Sequence, residues 1–201
     1  MFNYPQTFMF IGRSGCGKGT QAALLQEYLK KKDPKREILT IETGAKIRAF
    51  IAKEKGYAAE LSRAIYNAGG LQPGFLTAWT WSSVLIKELR ADTHLMFDGT
   101  PRRILEAHLL DSAFKFFKRE KPHLILLNVS GWWARERLLA RKRMDDGKKG
   151  VDARLAWYDT EVVPAIEFYR NNSDYRFHDI NGEQRPEKVH EDTINQIERG
   201  H

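Results

Sequence analysis

Nine residues near the start of the chain constrain it more than any other feature: Gly12-Arg13-Ser14-Gly15-Cys16-Gly17-Lys18-Gly19-Thr20. They follow an apolar run at 8–11 and open an amphipathic stretch that carries Leu24, Leu25 and Leu29. Strand, glycine-rich turn and helix N-terminus in that order form the setting of a phosphate-binding loop. Glycines let successive backbone N–H groups turn toward one anion, and the helix dipole adds to the attraction. Lys18 then supplies a mobile cation for the β- and γ-phosphates. Gly12, Ser14, Gly15, Cys16, Gly17, Lys18, Gly19 and Thr20 are therefore the candidate ATP-binding residues. A glycine-rich turn with a surface lysine is the plainer alternative, and the flanking strand and helix speak against it. The residue after Lys18 is Gly19, which has no hydroxyl to hold Mg²⁺. Asp98, at the end of an apolar run at 94–97, is the carboxylate placed to support the metal, directly or through water. Its plainer role is to shape the Asp98-Gly99 turn.

Apolar β-type runs at 7–11, 37–42, 94–97, 124–129 and 175–180 alternate with helical patterns. The helical stretches are 18–31, 73–90, 103–118, 131–143, 151–169 and 186–199. This alternation predicts a parallel sheet wrapped by helices. Leu124-Ile125-Leu126-Leu127 reads as a strand buried on both faces. Two segments depart from the rhythm. One is 43–71, with short helical patterns at 46–55 and 58–67, and the other is the polar turn 145–150. Both read as mobile covers on a rigid sheet. The expected organisation is one domain over 1–201.

The motifs resemble those of the adenylate kinase family of nucleoside monophosphate kinases, in family order and over nearly the whole chain. Gly17–Gln21 is the family's form of phosphate loop, and Thr43-Gly44-Ala45-Lys46-Ile47-Arg48 resembles its Thr-Gly-x-x-x-Arg segment. Asp98-Gly99-Thr100-Pro101-Arg102 resembles Asp-Gly-Phe-Pro-Arg, and Arg143-Met144-Asp145-Asp146 with Arg154-Leu155 resembles the lid-flanking pair. The resemblance implies a P-loop NTPase fold of the α/β class: a doubly wound five-stranded parallel sheet of order 2-3-1-4-5. It also implies a helical monophosphate-binding insert at about 43–72 and a short, zinc-free lid at about 143–152. ATP is then the phosphoryl donor and Mg²⁺ the cofactor, with ADP and a nucleoside diphosphate as products. Thr43, Gly44, Arg48, Gln72, Gly99, Arg102 and Glu106 become the monophosphate-binding residues. Arg102, Arg141, Arg143 and Arg154 join Lys18 as catalytic cations, while Arg137 stacks on the ATP base and Arg141 also binds ATP. Arginine suits such a cage because its planar fork grips phosphate oxygens and stays protonated. The paired Asp145 and Asp146 hold the lid rather than act as acid and base.

The acceptor base is where the chain departs. The family places Gln four residues beyond the signature arginine, and this chain has Glu106. An amide both donates to adenine N1 and accepts from N6, whereas a carboxylate only accepts. AMP is the leading acceptor by resemblance, with GMP, dGMP or a pyrimidine monophosphate as alternatives. On the plainer reading Glu106 points outward from its helix and changes nothing. Gln72 stands in a usually aliphatic slot, either reaching a guanine O6 or facing solvent, and Ala45 and Lys46 also differ from the family. Trp79 and Trp81, at i, i+2, cannot both face inward, so one of them borders the monophosphate site. The rival reading is a nucleotide-binding regulator that has lost catalysis.

The net charge of +7 raises the question of nucleic acid, but the basic residues are mostly interspersed with acids. The expectation is no nucleic-acid partner. With one cysteine, no apolar run of about 20 residues and no secretory leader pattern, the chain reads as cytoplasmic and free of membrane. The six histidines have no ligand spacing and read as surface or packing residues. A monomer is the default that size and family suggest.

Overall fold

The computed structural model describes residues 2–141 and 148–199. Among them, five strands form one parallel sheet in the order β2-β3-β1-β4-β5. These are β1 Thr7–Ile11, β2 Ile38–Glu42, β3 His94–Asp98, β4 His123–Asn128 and β5 Arg176–Asn181. The side-chain period of two splits β1 between the faces of the sheet. Met9 and Ile11 pack with Trp81, Leu85, Ala107, Leu110, Phe114, Ile166 and Tyr169. Those partners come from α4 (Gly74–Glu88), α5 (Ile104–Phe116) and α8 (Val163–Arg170). Phe8 and Phe10 face the other way, onto Ala22, Leu25 and Leu29 of α1 (Lys18–Lys32) and Val189 and Ile197 of α9 (Pro186–Arg199). Both faces are covered, which is why β1 and most of β4 are uninterruptedly buried. No helix among the described residues is long and apolar enough to cross a membrane.

Two helices differ from the sequence expectation for local reasons. The second helix, α2 (Thr43–Lys53), begins three residues earlier than the pattern at 46–55. Gly44 lowers helix propensity there, but a Cβ on it would lie 3.3 Å from Arg48 Nη1 and 3.7 Å from Arg102 Nη2, so the glycine makes room for guanidinium groups. The stretch 151–169 is not one helix. It divides into α7 (Lys148–Trp157), a π-helical turn (Tyr158–Val162) and α8. Pro164 sits in the first turn of α8, where its missing N–H cannot continue an i→i−4 ladder, and the wider turn absorbs the break. The remaining helices are α3 (Tyr57–Asn67) and α6 (Gly131–Arg141).

The edge of the sheet opposite the strand C-termini is locked by buried polar groups. His94 Nδ1 accepts the Gln6 backbone N–H at 2.9 Å, and its Nε2 lies 3.4 Å from Asp33 Oδ2. His123 and His178 stack at 5.1 Å between ring centroids, also buried. Burial pushes the His94 pKa below its usual 6.5, helped by Arg36 and Arg119 and opposed by Asp33. The unfolded chain therefore takes up the proton first as pH falls. This contribution to stability is complete above about 6.5 and is lost as pH drops through the folded value. His190 has the same sign, its pKa lowered by burial. Urea melts are expected to show stability falling from pH 7 to pH 5. His94→Asn, which keeps an acceptor for the Gln6 N–H, should reduce that slope without abolishing it. An unchanged slope would exclude His94 as its source.

Candidate active site

The loop after β1 turns through three left-handed glycines, Gly12 (φ 144°), Gly15 (φ 86°) and Gly17 (φ 99°). A Cβ on Gly12 would stand 2.6 Å from the Leu127 carbonyl oxygen, and one on Gly15 2.8 Å from that of Ala134. The loop is thus wedged between the ends of β4 and α6. Lys18 Nζ donates to the carbonyls of Gly12 and Arg13, both at 2.9 Å. Its ammonium is folded over the nest that its own loop forms. Cys16 is buried beneath, and Ser14, Gly15, Gly17, Gly19 and Thr20 face the cleft.

Asp98, the last residue of β3, meets this loop. Its Oδ2 would lie 3.2 Å from a Cβ on Gly19, so the missing side chain there leaves space that the carboxylate uses. Among the described residues no group of three or more His, Cys, Asp or Glu could hold a metal by itself. That donor set fits Mg²⁺ held largely by phosphate oxygens and water, with one carboxylate in support.

A cleft of about 650 Å³ opens from the loop toward α2 and α3. Lys18, Arg48, Arg102, Arg137, Arg141 and Arg154 line it, against Glu42, Asp98 and Glu106. Six cations facing three acids leave an excess suited to phosphates. Arg102 Nε donates to the Gly99 carbonyl at 2.9 Å, which aims the far end of the guanidinium at Gly44 beside Arg48. Desolvation pushes the Arg102 pKa down, with Arg154 and Arg48 adding repulsion and Glu106 and Asp98 opposing it. Arg154, buried on α7, donates to the Gly150 carbonyl at 3.2 Å. Thr43 is buried at the start of α2 and accepts a hydrogen bond from Thr100, 2.6 Å, tying α2 to the end of β3. Arg137 lies over the Trp133 ring, 3.8 Å from its centroid, and lines the cleft from α6. Arg141 is exposed at the cleft wall. Arg143, Asp145 and Asp146 lie outside the described residues.

At the far end the structure excludes the outward reading of Glu106 and the solvent-facing reading of Gln72, and corrects the expectation for Trp79 and Trp81. Glu106 does not point outward: it is 1% exposed and lines the cleft. Its Oε1 accepts from the Thr77 hydroxyl at 2.7 Å and its Oε2 from the Arg102 backbone N–H at 3.0 Å. Gln72 lines the cleft too, but its amide is committed to Ser62, accepting from Oγ at 2.7 Å and donating to the carbonyl at 3.0 Å. Its side chain does not face solvent, and one acceptor site and one N–H of the amide are taken by Ser62. Thr77 and Ser62 carried no signal in the sequence, being single hydroxyls without a motif. Neither Trp79 nor Trp81 lines the cleft. Trp79 is exposed against Phe50, Trp81 is core, and the tryptophan at the cleft wall is Trp157.

A family profile described as adenylate kinase matches residues 10–174. The chain is 34% identical over 161 residues to an adenylate kinase of Corynebacterium diphtheriae, covering 80% of this chain and 84% of that one. It is 32% identical over 188 residues to an adenylate kinase of Corynebacterium urealyticum, covering 92% and 96%. An adenylate kinase of Encephalitozoon cuniculi is 29% identical over 190 residues, covering 94% and 96%.

Proposed function

The chain belongs to the adenylate kinase family of nucleoside monophosphate kinases, and on that premise we propose that it transfers the γ-phosphoryl group of ATP to AMP. An AMP phosphate oxygen attacks the γ-phosphorus, the bond to the β-γ bridging oxygen breaks, and two molecules of ADP result. Such a transfer needs in-line positioning and a cage of positive charge rather than a strong general base. Lys18 and the loop N–H groups hold the donor phosphates. Arg48 and Arg102 hold the monophosphate, while Arg141, Arg143 and Arg154 surround the moving group. Arg137, braced on Trp133, stacks on the donor base. Mg²⁺, supported through Asp98, supplies further neutralisation when bound. Segments 43–72 and 143–152 act as the insert and the lid. The observation that carries the reading is the convergence of Arg48, Arg102 and Arg154, from three distant segments, beside Lys18 in one cleft. Binding a nucleotide alone does not call for that cage. An ADP-formation assay with each monophosphate tests it, and ATP binding without transfer to any of them would leave only a regulator.

The buried Glu106 favours a second reading, with guanine as the acceptor base. Its carboxylate is fixed as an acceptor, and guanine N1–H and N2–H₂ are donors, whereas adenine N1 is not. Glu106→Gln separates the two. The new amide can accept from the Arg102 N–H and donate to Thr77, which then donates to the Gly74 carbonyl, 3.0 Å away. Its remaining N–H suits adenine N1. With AMP as the native acceptor, kcat/KM for AMP should rise about fivefold, equivalent to one hydrogen bond of about 1 kcal/mol. If GMP is the better substrate and the variant loses it at least tenfold, guanine is the native base.

A further inference from the structure

Three consecutive residues, Trp157 at the end of α7 and Tyr158 and Asp159 in the π-helical turn, reach two different segments around the site. Trp157 Nε1–H donates to the Gly69 carbonyl at 3.1 Å, just beyond α3. The next two residues hold the phosphate loop: Arg13 lies 3.9 Å over the Tyr158 ring and pairs with Asp159 at 3.1 Å. Trp157 also stands 6.0 Å from the Arg102 guanidinium. The contact at Gly69 is close and specific. Gly69 has φ 72°, and a Cβ on it would lie 2.6 Å from the Gly150 oxygen and 2.7 Å from the Gly150 Cα, at the start of α7. Backbone thus meets backbone between the α3 end and α7, and the indole N–H adds a bond across the same seam.

From this we infer that Trp157 couples the two nucleotide sites, acting as a positioning residue between them rather than as a ligand to either. The inference rests on the two-substrate reading above. The Gly69 bond is made in this structure, and a nucleotide that favours this arrangement of the α3 end against α7 over one in which the bond is broken holds it in place. That bond seats Trp157, and with it the Tyr158–Asp159 grip on the phosphate loop. A donor nucleotide that holds the loop, and through Tyr158 and Asp159 the end of α7, favours the same arrangement, with the indole on Gly69. Binding of either nucleotide then tightens binding of the other, and by linkage the factor is the same in both directions.

The test is a binding cycle by calorimetry on the full chain, using the Mg²⁺ complex of a β,γ-imido ATP analogue with AMP, and in parallel with GMP. In the wild type each ligand is expected to tighten the other. Trp157→Phe, which keeps an aromatic ring and removes the N–H, should lower the coupling factor about fivefold, equally from both directions. The affinity of each nucleotide alone should change by less than that factor. Gly69→Ala, whose Cβ would strike Gly150 with the indole left intact, should produce the same loss. Thermal melts confirm that both variants fold. Absence of coupling in the wild type, or an unchanged factor in Trp157→Phe, would overturn the inference. If AMP does not bind and GMP does, the acceptor reading fails while the coupling is still measured with GMP.

Discussion

Lys18→Met is expected to lower kcat about a thousandfold, close to 4 kcal/mol of transition-state stabilisation, while the protein stays folded. Methionine keeps much of the stem and removes only the ammonium. In the folded chain that ammonium rests on the carbonyls of Gly12 and Arg13, two half-buried residues, so its loss leaves no fully buried residue without a partner. Phosphoryl transfer spreads charge onto the moving oxygens, and a cation held on the loop is stronger there than water because it need not reorganise. On the proposed reading the loop N–H groups still hold the ATP phosphates, so its KM should rise far less than kcat falls. Steady-state ADP formation at saturating substrates, with a melting curve as control, measures this. A kcat within tenfold of wild type would remove Lys18 from the proposed cage.

Arg102→Lys is expected to cost about a thousandfold in kcat/KM for the acceptor, mostly through KM. The charge survives, but the geometry does not. Arg102 uses Nε to hold the Gly99 carbonyl and so directs Nη2 at Gly44 beside Arg48. An ammonium cannot do both, since it lacks the rigid fork that grips phosphate with two donors. Burial and the neighbouring Arg154 and Arg48 already disfavour charge at this spot. A flexible lysine would tend to withdraw toward Asp98 or Glu106. Equal kcat/KM for the variant and the wild type would show that only net charge matters in this cleft.

The phosphate loop was legible because its requirements are local. Glycines at positive φ, a preceding apolar strand and a following helix all lie within about two dozen residues, and each can be read as a letter. The runs that became β1, β3 and β4 were legible for a similar reason, since strands buried on both faces need no partner to be seen as apolar. The early start of α2 at Thr43 was not. Gly44 argues against a helix on propensity, and only its approach to the guanidinium groups of Arg48, one turn on, and of Arg102, from another segment, explains why a glycine belongs there. The π-helical turn at Tyr158–Val162 was hidden by a helical pattern that runs through it, although Pro164 marked the place.

The same division runs through the site. By itself the sequence determined which side chains the proposed chemistry draws on: a lysine after a glycine turn, arginines at fixed distances from an Asp-Gly turn, and a glutamate where an amide is usual. Those identities come from short spacings, which survive without knowledge of the fold. The tertiary structure alone decided what those side chains face. Glu106 became a buried acceptor because Thr77, 29 residues away, and the Arg102 N–H meet its two oxygens. Gln72 was tied to Ser62, ten residues away, and Trp157 was brought to Gly69 across 88 residues of chain. A side chain's direction and partners depend on which segments pack beside it. That is settled by burying the two faces of the sheet, and no short window of letters contains it.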